Sequence, residues 1–175
     1  MISALTNTPI WVFMTKKMPD PQLQANPIKS KQVPLYTYEL KLRSRYAETD
    51  KMGYVYHGRF LEYFEQARTE MIREAGISYL NLEEMGVMLP VAHVSIDYMR
   101  PVFYDELITI RVLIFDPPST RLNTWYEVVG EDGKTRLTAH VVLVFVSEET
   151  RRPCPPPAAF LEGMKAVMHK EDHQE

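Results

Sequence analysis

Residues 135–147 read TRLTAHVVLVFVS, a strand's length of chain in which both alternating sets of side chains are apolar. Leu137, Ala139, Val141, Leu143 and Phe145 fall on one face, and Val142, Val144 and Val146 on the other. A strand with a polar side can lie at a surface, but this one requires cover on both faces and therefore belongs inside a sheet. Three segments ahead of it also read as strands: VAHVSIDYM (residues 91–99), ELITIRVLIF (106–115) and RLNTWYEVV (121–129). The stretches between them carry turn chemistry, DPPS at 116–119 and EDGK at 131–134, the latter with the Asp-Gly pair of a tight hairpin. Strands joined by hairpins are antiparallel. A further strand opens at Tyr36, where Tyr36, Tyr38, Leu40 and Leu42 alternate with Thr37, Glu39, Lys41 and Arg43, the pattern of a half-buried strand.

One long helix accompanies these strands. From 58 to 75 the positions Phe60, Leu61, Phe64, Ala67, Met71, Ile72 and Ala75 recur at three- and four-residue spacing and make one wide apolar stripe. Gly76 is placed to end it. SYLNLEEMG (78–86) reads as a short helical piece. The order is strand, long helix, four strands. It predicts an α+β fold in which one antiparallel sheet of about five strands wraps around one central helix. The helix covers one face of the last strand; a second subunit is a candidate for the other.

With 175 residues, 45% of them apolar, the chain supports one main core. Residues 1–33 are rich in proline, glutamine and lysine after an initial apolar run and read as a flexible extension. Residues 34–153 form the folded domain. Prolines at 153 and 155–157 stop the sheet, and 154–175 read as a tail in which AAFLEGMKAVMHK can form a short helix. The apolar run near the start precedes its lysines and is broken by Thr6, Asn7, Thr8 and Pro9, which is the wrong order for a secretory signal and too polar to insert in a membrane. Acidic and basic residues are interleaved, with a formal charge of −3, so no nucleic-acid footprint is expected. The single cysteine, Cys154, rules out an intramolecular disulfide and suits the reducing cytoplasm.

Two familiar catalytic signatures are absent: there is no GxSxG elbow and no glycine-rich phosphate loop. The five histidines are scattered, and neither a metal nor another cofactor is expected. Chemistry concentrates instead in ETDKMGYVYHGRFLEYFEQAR, residues 48–68. Asp50 stands seven residues before His57 across a loop kept flexible by Gly53, and His57 and Gly58 open the long helix. A helix start offers unpaired N–H groups and the positive end of the dipole, which can hold a developing oxyanion. A carboxylate facing such amides can attack a thioester carbonyl or activate water to do so. The residues alone also allow Asp50 to cap a turn or to pair with Arg43 or Arg45. Arg59, in the first helical turn, opposes the dipole; it is either solvated or an answer to a ligand phosphate. Tyr56, Phe60 and Tyr63 are candidate walls of a binding pocket. Glu65 is a candidate second carboxylate, or the partner of Arg68 or Arg100 in an ion pair.

The stretch TDKMGYVYHGRFLEYFEQARTEM resembles the signature of the hotdog-fold acyl-CoA thioesterases of the 4-hydroxybenzoyl-CoA thioesterase type, D-x-x-G-x-V-x-[HY] followed by an aromatic-rich helix ending in E-x-A-R. It is most similar to the branch of short acyl-CoA hydrolases found beside Tol-Pal genes. The resemblance runs from about Tyr36 to Pro153 and includes DYMRPVFYDELITI. It implies a hotdog fold and hydrolysis of acyl-CoA to free acid and coenzyme A without metal or prosthetic group. Asp50 then matches the nucleophile or general base, the backbone N–H of His57 polarises the thioester carbonyl, and Gly58 can lend a second amide. The family has a tyrosine in many members where this chain has Phe60, and a small or neutral residue where it has Arg59. The resemblance also implies a homo-oligomer, a dimer paired through the strand at 91–99 or a tetramer built from two such dimers. Two rivals remain at this stage: an acyl-CoA-binding module without catalysis, and a hotdog hydratase or dehydratase.

Overall fold

The strand that is apolar on both faces is internal, as its composition requires. The computed structural model describes residues 26–171. Five strands form one antiparallel sheet: β1 (Tyr36–Arg43), β3 (Val91–Tyr98), β4 (Leu107–Ile114), β5 (Arg121–Gly130) and β6 (Thr135–Val144), in the spatial order β1-β4-β5-β6-β3. A separate ribbon pairs β2 (Val87–Met88) with β7 (Val146–Ser147). The long helix α1 (Arg59–Glu74) lies across the inner face, giving the α+β layout read from the sequence. Gly76 follows it with φ +82°, a left-handed conformation that releases the chain from the helix. Ser78 caps the short α2 (Tyr79–Glu84), its hydroxyl accepting the Asn81 N–H at 3.1 Å.

Phe60, Tyr63, Phe64, Ala67, Met71 and Ile72 on α1 meet Ile108, Ile110 and Val112 of β4, Leu122, Tyr126 and Val128 of β5, and Leu137, Val141 and Leu143 of β6 in one core. Each fully buried aliphatic or aromatic side chain contributes about 1.5–3 kcal/mol relative to exposure, so this interface dominates the stability of the fold.

Two parts of the chain depart from the sequence reading. The C-terminal segment contains the 14-residue helix α3 (Ala158–Glu171), and its Phe160, Met164 and Val167 are buried in the same core. A Cβ at Gly163 would lie 2.2 Å from the carbonyl oxygen of Ala75, so glycine alone permits α3 to pass this close to the end of α1. The segment is a part of the domain rather than a tail. The lead-in also packs: Asn26 Oδ1 accepts the N–H groups of Ile28 and Lys29, and the resulting turn sets Ile28 against Leu113, Phe115 and Trp125 on the outer face of the sheet. Lys29 Nζ reaches Asp97 of β3 at 2.8 Å. Residues 26–31 thus supply part of the outer cover that β4 and β5 need, and the remainder of the expected extension, residues 1–25, lies outside the described residues. On the same outer face the His140 ring stacks on Trp125 with centroids 3.9 Å apart. Burial, with a smaller effect from His93, pushes its pKa down to about 4.

Candidate active site

The candidate catalytic residues sit in the loop that joins β1 to α1. A 3₁₀ turn at Tyr46–Glu48 begins it, and a bridge between Thr49 and Val55 closes it into a small hairpin. Within that hairpin Asp50 N–H donates to the Tyr54 carbonyl at 3.0 Å and Gly53 N–H donates to the Asp50 carbonyl at 3.0 Å. Gly53 has φ +84°, so it closes a tight turn instead of lending the loop freedom. One carboxylate oxygen of Asp50, Oδ1, accepts the Met52 N–H at 2.8 Å. Among the described residues Oδ2 has no partner and Asp50 forms no ion pair. Arg45 is committed to Glu48, and Arg43 to the carbonyl and carboxylate of Asp105. Capping a turn and presenting an oxygen to a ligand are therefore compatible in this one residue.

A cleft of about 410 Å³ opens beside this hairpin. Asp50, Met52, Tyr54, Val55, His57 and Phe60 line one side of it, and residues 98–102, where β3 ends in the Arg100-Pro101 turn, line the other. Asp50 and His57 line the same cavity. The His57 ring is exposed and flanked by the rings of Tyr56, at 4.3 Å, and Tyr98, at 6.4 Å. Among the described residues neither the His57 nor the Gly58 N–H has an acceptor in the chain. Gly58 has helical φ/ψ (−68°, −21°) with no side-chain cap, so both amides belong to the unpaired donors at the start of α1.

The remaining predicted residues fall in different places. Phe60 is buried at the cleft, edge-on to Tyr98 at 5.9 Å. The Tyr56 ring lies over Gly58, so close that a Cβ there would meet Tyr56 Cε1 at 2.8 Å. Arg59 pairs with Glu62 one turn on, at 2.6 Å, which offsets its unfavourable position on the helix dipole. Tyr63 is not on the cleft. It is buried, and its hydroxyl donates to Glu48 Oε2 at 2.6 Å. Glu65 lies on the outward face of α1 beside a separate depression of about 240 Å³ shared with Glu62, Gln66, Thr69 and Glu70. Neither expected ion pair of Glu65 forms, because Arg68 turns inward to donate to the Tyr79 hydroxyl at 2.7 Å and Arg100 donates to the Thr135 carbonyl at 2.8 Å.

Two residues absent from the sequence reading organise the site. Glu48 is 3% exposed, yet its carboxylate is fully engaged: Arg45 N–H at 2.7 Å, Arg45 Nε at 2.8 Å, Arg45 Nη2 at 2.6 Å and the Tyr63 hydroxyl. Burial pushes this carboxyl's pKa up, but the bonds from Arg45 and Tyr63 outweigh burial and hold it below the ordinary range. Its backbone carbonyl accepts the Tyr56 N–H at 2.8 Å, so Glu48 ties both ends of the Asp50 hairpin to α1. Tyr98, on the opposite wall, donates its hydroxyl to the His57 carbonyl at 2.9 Å. The signal for Glu48 was its place in AETD, directly ahead of Asp50. For Tyr98 it was the DYMRP stretch at the end of a strand.

A carboxylate with one free oxygen and a residue with an unpaired helix-start amide, His57, on the same cleft make an arrangement suited to acyl transfer. The chain belongs to the thioesterase-like superfamily, whose model matches residues 44–164. It is 30% identical over 119 residues to YneP of Bacillus subtilis, covering 68% of this chain and 86% of that protein. Similarity to the acyl-CoA thioester hydrolase YbgC of Escherichia coli O157:H7 is 27% over 124 residues, 71% of this chain and 92% of the relative. Among solved structures, a DHNA-CoA thioesterase from Staphylococcus aureus superposes with a TM-score of 0.70 at 28% identity, over 79% of this chain and 95% of the other. The fold is that of the hotdog thioesterases, one antiparallel sheet around a central helix.

Proposed function

We propose that this protein is an acyl-CoA thioesterase that hydrolyses R–CO–S–CoA to the free acid and coenzyme A, with Asp50 as nucleophile or general base and the His57 and Gly58 amides as the oxyanion hole. One observation carries the reading: Asp50, with an unpartnered carboxylate oxygen, and His57, with an unpartnered N–H at the start of α1, line one cleft. In this scheme the thioester carbonyl oxygen faces the amides, which stabilise the charge that builds on it as the carbonyl carbon becomes tetrahedral. The free oxygen of Asp50 either attacks that carbon and expels the thiolate of coenzyme A, leaving a mixed anhydride that water hydrolyses to the free acid, or takes a proton from a water that attacks the carbon and displaces the thiolate directly. The bond from Met52 fixes the other oxygen and hence the plane of the carboxylate. No step calls for a metal or a prosthetic group.

The names of YbgC and the Staphylococcus aureus enzyme support a coenzyme A thioester as substrate, and the D-x-x-G-x-V-x-H run supports the narrower Tol-Pal-associated branch. Assembly is proposed through β3, which pairs with β6 on one side and among the described residues leaves its other edge open. Among the described residues no helix is long and apolar enough to cross a membrane, and the lone Cys154 supports a cytoplasmic location. The test is release of free coenzyme A thiol from a panel of acetyl-, hexanoyl-, palmitoyl-, benzoyl- and crotonyl-CoA, the last an enoyl-CoA. Thiol release from at least one is expected. Saturable binding without release would leave a binding module, and a change at the acyl double bond of an enoyl-CoA without release would favour a hydratase.

A further inference from the structure

The outer face of β6 is buried, yet no described helix lies over it. Trp125 pairs across the sheet with His140, and Val142 and Val144 follow at two-residue steps on the same side. His140, Val142 and Val144 are 2%, 3% and 4% exposed. The helices α1, α2 and α3 send their buried side chains, Phe64, Leu82 and Phe160 among them, into the core on the inner face. On the outer side the described chain supplies the turn at 26–31, whose Ile28 packs on Leu113, Phe115 and Trp125 over β4 and β5. The path of the lead-in shows where further cover can come from. Leu35 N–H donates to the Ile114 carbonyl of β4 at 2.7 Å, whereas Lys29 Nζ reaches Asp97 of β3 at 2.8 Å. In the order β1-β4-β5-β6-β3 these two anchors lie toward opposite edges, so the chain traced back from 35 to 29 runs across the strands on the outer side. The turn at its far end is closed by Ser30 N–H on the Asn26 carbonyl at 3.1 Å and Gln32 N–H on the Pro27 carbonyl at 2.9 Å, so Asn26 starts the described chain on this face. Residues 1–25 precede it, and Ile10, Trp11, Val12, Phe13 and Met14 make an unbroken apolar run among them. The stretch from 15 to 25 can span up to roughly 40 Å, several times the two strand spacings, about 10 Å, that separate β5 from β3.

We infer that the outer face of β6 is the docking site of residues 1–25: the apolar run around Trp11 covers His140, Val142 and Val144 and closes this face against a second copy of the chain. Three observations carry the choice of occupant: the face is buried, the chain ahead of it is already anchored there at Ile28 and Lys29, and that chain brings an apolar run within reach. Bared, Val142 and Val144 would join Trp125 in an apolar strip of the kind on which two sheets pack face to face. The cover thus answers the demand of a strand that is apolar on both sides. It leaves the free edge of β3 untouched, so pairing of protomers through that edge and closure of the face are compatible.

The test uses the two tryptophans of the chain, Trp11 and Trp125. Full-length protein labelled with 5-fluorotryptophan gives two ¹⁹F signals, and the one lost in Trp11→Phe reports residue 11. Its frequency is expected to stay nearly constant between H₂O and D₂O, whereas a labelled peptide of residues 1–25 shows the full solvent shift of an exposed indole. Deletion of residues 1–25 is expected to move the Trp125 signal and to lower Tm by roughly 5 °C or more. The shortened chain is also expected to scatter light as a larger species than the full chain, or to precipitate where the full chain stays in solution. A Trp11 signal with the solvent shift of the free peptide would overturn the inference, and this readout holds even where the shortened chain fails to fold. A shortened chain with the Tm, mass and Trp125 signal of the full chain would overturn it as well. So would burial of Trp11 that disappears on dilution as protomers part, which would assign the cover to a second copy.

Discussion

Replacing Glu48 should loosen the Asp50 hairpin and destabilise the whole domain, because a buried carboxylate joins the two. Glu48 and Tyr63 are 3% and 4% exposed, and the hydroxyl–carboxylate distance of 2.6 Å is that of a charge-assisted bond. Such a bond contributes about 1.5–3 kcal/mol. In Tyr63→Phe the carboxylate keeps its bonds from Arg45, so a loss of about 2 kcal/mol is expected. Glu48→Gln keeps the shape but removes the charge, and its amide presents N–H groups to neighbours that are themselves donors, so about 3 kcal/mol is expected. In a domain of this size each kcal/mol moves Tm by about 2–4 °C, which gives a fall of roughly 6–12 °C for Glu48→Gln. The assay is thermal and urea unfolding of the two single variants and the double variant at one fixed protomer concentration. Because both substitutions disrupt the same bond, the double variant should lose less than the sum of the singles. Single variants within about 0.5 kcal/mol of wild type, or strictly additive losses, would refute the latch.

The pKa of His140 provides a pH test. Its folded value, about 4, lies below the ordinary histidine value near 6.5, so the unfolded chain binds a proton that the folded chain refuses. The contribution is fully present above pH 6.5 and is lost as pH falls toward 4, by up to about 3 kcal/mol; unfolding midpoints that stay flat across this window would contradict the burial of this ring. The depressed Glu48 carboxyl adds a loss that begins lower, as pH falls through its folded value. The lead-in offers a truncation test. Deleting residues 1–25 removes Trp11 and leaves Trp125 as the one tryptophan, and deleting 1–31 also removes Ile28 from its contact with that ring. The longer deletion should red-shift Trp125 emission and lower Tm relative to the shorter one, and identical emission and Tm would show that residues 26–31 contribute no cover.

The sheet was legible in the sequence because its signals are local. Strict alternation from Tyr36 to Arg43, the Asp-Gly hairpin before Thr135 and the doubly apolar run after it give β1, β5 and the start of β6 to within a residue, whereas the run to Ser147 is divided after Val144 between β6 and β7. The helix stripe and Gly76 give α1 equally well. What escaped depends on contacts distant in sequence. Ile28 is a single apolar residue among Pro27, Lys29 and Ser30, and only the outer face of β4 and β5 gives it a purpose. The apolar content of α3 was visible, but its docking rests on the missing side chain of Gly163 against Ala75. In the site, Asp50, His57 and Phe60 share the cleft because the loop between strand and helix is short and closed by its own turn. Tyr63 and Glu65 lie three and five positions past Phe60, where the helix carries the first a turn deeper into the core and turns the second to solvent, away from the cleft. Tyr98 approaches the helix start from a strand more than forty positions away in the chain, and no spacing rule links the two.

Hydrolysis as proposed turns above all on the free oxygen of Asp50. Asn keeps the size of the side chain, and its amide oxygen can still accept the Met52 N–H, but it supplies neither a nucleophile nor a base. The decisive measurement is the turnover number of Asp50→Asn on an acyl-CoA that the wild-type protein hydrolyses, read as release of the coenzyme A thiol at matched folded concentration. A fall of at least about a hundredfold with the melting temperature preserved is the predicted result. Turnover near the wild-type rate would contradict the account and reduce Asp50 to the residue that caps its turn.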